Sequence, residues 1–152
     1  SGDMFDAVLA TAPASPWDFA RRVAALRDFL QRPEASSLTL AHKRIANILK
    51  KSPTNDVPAH APLRPELLRE PAERSLHAAL LQQLPPVTRA VAEHDYARAF
   101  ERLAALRAPI DAFFDTVMVN DPDAELRANR HALLRELRAL FAGVADLSFL
   151  PG

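Results

Sequence analysis

The sequence predicts an all-α fold, a helical bundle of about five to seven helices, and composition and proline placement carry that prediction. Of the 152 residues, Ala (29) and Leu (22) make up about a third, whereas Val, Ile and Thr together number 16. Alanine and leucine are strong helix formers and β-branched residues are what strands need, so strands are starved of material. There are only 3 glycines, and the 13 prolines gather at segment ends instead of being spread through the chain. A chain of this size buries about 68–70% of its unfolded surface, enough for a core without staples.

Each element has a local signal. Phe5, Val8 and Leu9 suggest a short helical turn near the start. Ser15-Pro16 opens the first clear helix, because serine caps and proline suits the first turn. Phe19, Val23, Leu26 and Leu30 follow at four-three-four spacing until Pro33 stops the run. A second helix is expected from Ser36 or Ser37 to Lys51, with Leu38, Ala41, Ile45, Ile48 and Leu49 on one arc. Residues 52–62 carry three prolines and no periodicity, and read as a mobile loop or linker. A helical segment then spans 64–84, with Pro71 either kinking it or beginning its main part and Leu76, Leu80 and Leu84 on its buried side; Pro85-Pro86 should interrupt or kink it before Val87 and Val91. Asp95 caps a helix striped by Tyr96, Phe100, Leu103 and Leu106, and Pro109 restarts the chain into Ile110, Phe113, Phe114 and Val117. After the turn Asn120-Asp121-Pro122 and the cap that follows it, the last long helix runs to about Gly143, with Leu126, Leu133, Leu137, Leu140 and Val144 inward. The expected organisation is 1–51, a proline-rich 52–62 loop, and 63–152, assembled as one domain.

Charge narrows the function. The 19 Lys+Arg balance the 19 Asp+Glu, yet no acid occurs between Glu34 and Asp56, and all three lysines (Lys43, Lys50, Lys51) lie there beside Arg44. On the expected helix, Lys43, Arg44, Asn47, Lys50 and Lys51 fall opposite the apolar arc, a compact polyanion site. Ordinary solvated lysines offsetting the helix dipole are the plainer alternative. The cations can meet phosphates, Arg44 can fork onto or stack on a base, and Asn47 offers a donor and an acceptor to a base edge.

Other chemistry finds little support. Without cysteine there is no disulfide, thiolate metal site or cysteine nucleophile, and a reducing compartment fits. His42, His60, His77, His94 and His131 show no paired ligand spacing, and no glycine-rich loop can cradle phosphates. There is no run of 18 apolar residues and no leader pattern at Ser1-Gly2-Asp3, so no membrane span is expected. Asn129 and Arg130 flank the apolar stripe of the last helix. A guanidinium there needs a partner, and Asp111 and Asp115, four apart on one face, are the expected carboxylates of a structural clamp, favoured over direct RNA contact. Arg127, Arg135 and Arg138 read as ordinary surface charge, and Trp17 and Tyr96 as core or cap packing more than as base-stacking platforms.

The stretch AFERLAALRAPIDAFFDTVMVNDPDAELRANRHALLRELRALFAGVADLSFL (99–150), with HKRIANILKK (42–51) and FDAVLA (5–10), resembles the C-terminal, DALR-like anticodon-binding region of the bacterial glycyl-tRNA synthetase beta subunit. The strongest match is Phe-Phe-Asp, then Val-Met-Val, then Leu-Arg-x-Asn-Arg at 113–130. The resemblance covers nearly the whole chain apart from 52–62. It implies an all-helical domain similar to the anticodon-binding domain of arginyl-type synthetases, and tRNA-Gly as ligand. It also implies an alpha subunit and the remainder of the beta subunit as partners, and a cytoplasmic location. The parent ligase uses ATP and Mg; none is expected in this part, which should not catalyse alone. Two departures stand out: His42 replaces the usual Asn before Lys43-Arg44, so imidazole must make any RNA contact there, and Asn120 replaces an apolar or small residue. A helical module docking an acidic protein partner, or the alpha subunit, is the alternative reading.

Overall fold

Side-chain caps open three helices where the sequence places them: Ser15 accepts from the Asp18 N–H, Asp95 from Arg98, and Asp123 from Glu125 and Leu126. The computed structural model describes residues 2–51 and 61–151. Among these lie seven α-helices and no strand: α1 (Gly2–Leu9), α2 (Pro16–Phe29), α3 (Ala35–Lys50), α4 (Pro71–Ala92), α5 (Tyr96–Ala104), α6 (Arg107–Thr116) and α7 (Ala124–Ala142). Short 3-10 turns cover Pro65–Leu67 and Leu147–Phe149. Of the expected 52–62 loop, residues 52–60 lie outside the described residues, and 61–62 are irregular.

One apolar core joins the helices before and after that segment, from Ala7, Leu26, Leu38 and Ile45 to Leu76, Phe100, Phe113, Leu133 and Leu147. Helix α4 packs on α5, α6 and α7; α2 packs on α1 and α5; α3 lies against α6, α7 and the 147–149 turn. Polar ties close the two ends. Arg22 donates to the carbonyls of Gly143 (2.7 Å) and Val144 (3.2 Å), capping the C-terminus of α7 from α2, and Asp146 N–H donates to the Ala7 carbonyl at 2.9 Å.

Pro85 and Pro86 do not interrupt α4, which runs continuously for 22 residues. They remove the donors that would reach the carbonyls of Leu81 and Gln82, but both residues are exposed and solvent can replace the lost bonds, while buried Leu80, Val87 and Ala90 hold the helix in place. Leu84 is 43% exposed; Gln83 takes the inward position.

Tyr96 is core, as expected. Its hydroxyl donates to Asp18, which Arg22 also holds through an Nε–Oδ2 pair of 2.9 Å. Burial pushes the Asp18 carboxyl up, but hydrogen bonds from Tyr96 and Arg22 outweigh it and hold the group below the usual carboxylate range. His94, at φ 56°, is the left-handed residue after α4 and brings Nδ1 to 3.3 Å from Asp18. Trp17 departs from the expected packing: it is 58% exposed, with the Arg21 guanidinium 4.6 Å from its ring centre.

Candidate nucleic-acid interface

Helix α3 is anchored by Leu38, Ala41 and Ile45, all buried, with Ile48 and Leu49 partly so. Its opposite side therefore faces solvent. Leu40, Arg44, Asn47 and Lys51 recur at four-three-four spacing and form one exposed ridge; half-buried Lys43 and exposed Lys50, seven apart, form a second. Among the described residues no carboxylate lies within ion-pair distance of Lys43, Arg44, Lys50 or Lys51. Four cations on one helix, none ion-paired among the described residues, make an attractive field for a polyanion.

The site residue His42 requires correction. It is 3% exposed, and its ring centre lies 4.2 Å from that of Phe141 on α7. Three residues before Ile45 and four after Leu38, it belongs to the inner flank of α3 and cannot reach a ligand on the outer one. Burial lowers its pKa from 6.5 to about 4, Asp146 raising it and Arg138 lowering it, so the imidazole is neutral at pH 7.

The Arg130 clamp exists with different partners. Arg130 Nη2 meets Glu73 Oε1 of α4 at 3.0 Å, and Nη1 reaches Asp121 Oδ2 at 3.3 Å and the Met118 carbonyl at 2.7 Å. Glu73 is fully buried and also accepts from the Glu70 N–H at 3.0 Å, closing a capping box at the start of α4. Asp111 and Asp115 do not join Arg130, because α6 turns them toward α3. Asp111 accepts from Ser37 Oγ at 2.7 Å and lies 3.5 Å from Arg107, while Asp115 is exposed. With Arg44, Phe114, Leu40, Ser37 and Ala41 the two carboxylates line a cavity of about 360 Å³. Arg44 stands there with its guanidinium 4.6 Å from the Phe114 ring centre.

Asn129 is structural too. Its Oδ1 accepts from the Arg64 N–H at 2.6 Å and its Nδ2 donates to the Arg64 carbonyl at 3.0 Å. Arg135 donates to the Ala61 carbonyl at 2.9 Å and Arg127 to the Asp121 carbonyl at 2.9 Å, so with Arg130 three of the α7 arginines fasten backbone. Asn120 is satisfied by His131 Nε2 at 2.9 Å. Sequence reasoning missed Glu73; its signal was an acid three residues after the α4 cap, obscured because that cap is Glu70 and not Ser, Thr, Asp or Asn.

Among the described residues no group of three or more His, Asp or Glu could hold a metal ion. No helix among the described residues is long and apolar enough to cross a membrane.

Comparisons with known proteins converge on one group. The chain is 50% identical over 150 residues to the glycine–tRNA ligase beta subunit of Acinetobacter baumannii (strain AYE), covering 99% of this chain and 21% of that protein. It is 48% identical over 147 residues to the beta subunit of Pseudomonas aeruginosa (strain LESB58), covering 97% of this chain and again 21% of the relative. The chain thus spans about a fifth of the length of the curated relatives it matches. The model of the DALR anticodon binding domain matches residues 38–147, a range that takes in nearly all of α3 and the whole of α4 to α7. The chain belongs to the DALR anticodon-binding domain family.

Proposed function

We propose that this chain is the anticodon-reading module of a glycine–tRNA ligase beta subunit, receiving the anticodon loop of tRNA-Gly on the exposed face of α3. The observation that supports this reading most is the set of four cations, Lys43, Arg44, Lys50 and Lys51, without a carboxylate partner among the described residues, on a helix inside the family match. Unpaired, splayed anticodon bases are what proteins read by sequence in RNA. The lysines meet phosphates and fix the register; Arg44 and Asn47, on the ridge beside that of Lys43 and Lys50, reach base edges.

The module is not itself catalytic. ATP and Mg serve the parent ligase elsewhere, glycine activation belongs to an alpha subunit, and the remainder of the beta subunit is a covalent partner. The assembly works in the cytoplasm.

About four phosphate contacts to single-stranded RNA give a log–log salt slope near −3, or roughly 50-fold weaker binding between 50 and 200 mM salt. Exchanging Lys43 and Lys50 for Glu should abolish tRNA-Gly binding with an unchanged circular-dichroism melting curve. Retained binding in that variant would place the RNA elsewhere.

A further inference from the structure

We propose that the cavity between α3 and α6 is a base-reading pocket that admits cytosine and rejects uracil through the carboxylates of Asp111 and Asp115. This rests on the α3 reading and assigns specificity within it.

The site has an unusual mixture for a surface meant for a polyanion. Asp111 and Asp115 stand beside the cationic ridge, and neither forms an ion pair with Arg44. A phosphate entering here would be repelled. The edge of a base would not, because carboxylates accept hydrogen bonds and an exocyclic amine donates them. The remaining walls suit a ring: Phe114 is partly buried, Leu40 is 55% exposed, and the Arg44 guanidinium lies over the Phe114 face. At about 360 Å³ the cavity falls within the roughly 300–1,000 Å³ of ligand pockets and has room for one base.

The donor–acceptor pattern selects among such bases. Arg44 only donates and the two aspartates only accept. Cytosine presents the complement, an N4 amine for a carboxylate beside N3 and O2 acceptors for a guanidinium fork. Uracil puts O4 where the amine was, setting a carbonyl against a carboxylate and leaving that edge unmatched. Phosphate contact and base reading thus divide over the two ridges of α3. Lys43 and Lys50 on one ridge and Lys51 at the end of the other meet the backbone, while Arg44 with its α6 partners reads the base.

The test uses this chain, tRNA-Gly, and tRNA-Gly carrying single C→U exchanges in the anticodon. One good base contact corresponds to about 5- to 150-fold discrimination, so at least one exchange should weaken binding to the unaltered protein within that range. Asp111→Asn/Asp115→Asn should bring that ratio close to one, since an amide can turn either its donor or its acceptor to the base. The same variant should bind the uracil-exchanged tRNA more tightly than the unaltered protein does, a gain that mere loss of structure cannot produce. Asp115→Asn alone, at an exposed position, keeps the test clear of folding effects. A cytosine-over-uracil ratio unchanged in both Asp variants overturns the pocket. If in addition Lys43→Glu/Lys50→Glu leaves binding intact, the α3 reading fails with it; if that variant loses binding, only the pocket assignment falls.

Discussion

Acidification should unlock the α3–α7 packing through His42. The imidazole is 3% exposed against Phe141, and burial takes its pKa from 6.5 down to about 4, with Asp146 pulling upward against it and Arg138 adding a further downward push. Between those two values the unfolded chain binds a proton that the folded chain does not, so stability rises with pH across that window and is lost as pH falls from 6.5 toward 4. Each pH unit inside the window is worth about 1.4 kcal/mol, so the full window carries about 3 kcal/mol, and the interval from pH 7 to pH 5 about 2 kcal/mol. The pKa of His131 moves in the same direction, through burial and the nearby Arg135 and Arg127, so the His42 share must be isolated by difference. Urea unfolding at pH 7, 6 and 5 of the unaltered chain and of His42→Asn does this. The stability gap between the two should move in favour of the variant by about 2 kcal/mol at pH 5 relative to pH 7. A gap independent of pH would refute the buried, neutral imidazole.

Three further outcomes follow from the same geometry. Arg130→Ala leaves Glu73 charged and fully buried, and chemical denaturation should register a loss of about 3–5 kcal/mol. Tyr96→Phe deprives the buried Asp18 carboxylate of a donor and should cost about 1–3 kcal/mol by the same assay, with the fold retained because Arg22 still holds the carboxylate. Lys50→Glu alone should flatten the salt dependence of RNA affinity by close to one contact, about 0.7 in slope, without altering thermal stability.

Helix existence and the outward basic face could be read from periodicity, because repeats of 3.6 residues and single-residue caps are local. Ser15, Asp95 and Asp123 cap as their sequence context implies. Partner choice could not, because it depends on how helices face one another. Arg130 advertised a need for a carboxylate, yet which acid met it was decided by the packing of α4 against α7, and Glu73 lies 57 residues away. The packing of α6 against α3 sent Asp111 and Asp115 to Arg44's side of α3, where the sequence showed only cations. His42 looked like part of a basic run, but one position along a helix rotates a side chain by about 100°, enough to carry it from the ridge to the core. Pro85-Pro86 signalled a break that burial on both sides of the prolines overrode.

Whether α3 receives an anticodon or merely negative charge is decided by equilibrium binding of this chain to tRNA-Gly and to tRNA-Gly whose anticodon bases are exchanged, both at one fixed salt concentration. Weaker binding of the exchanged tRNA, abolished altogether by Lys43→Glu/Lys50→Glu, is the expected result. Equal affinity for the two tRNAs would contradict it, and would leave α3 a basic surface for an acidic partner.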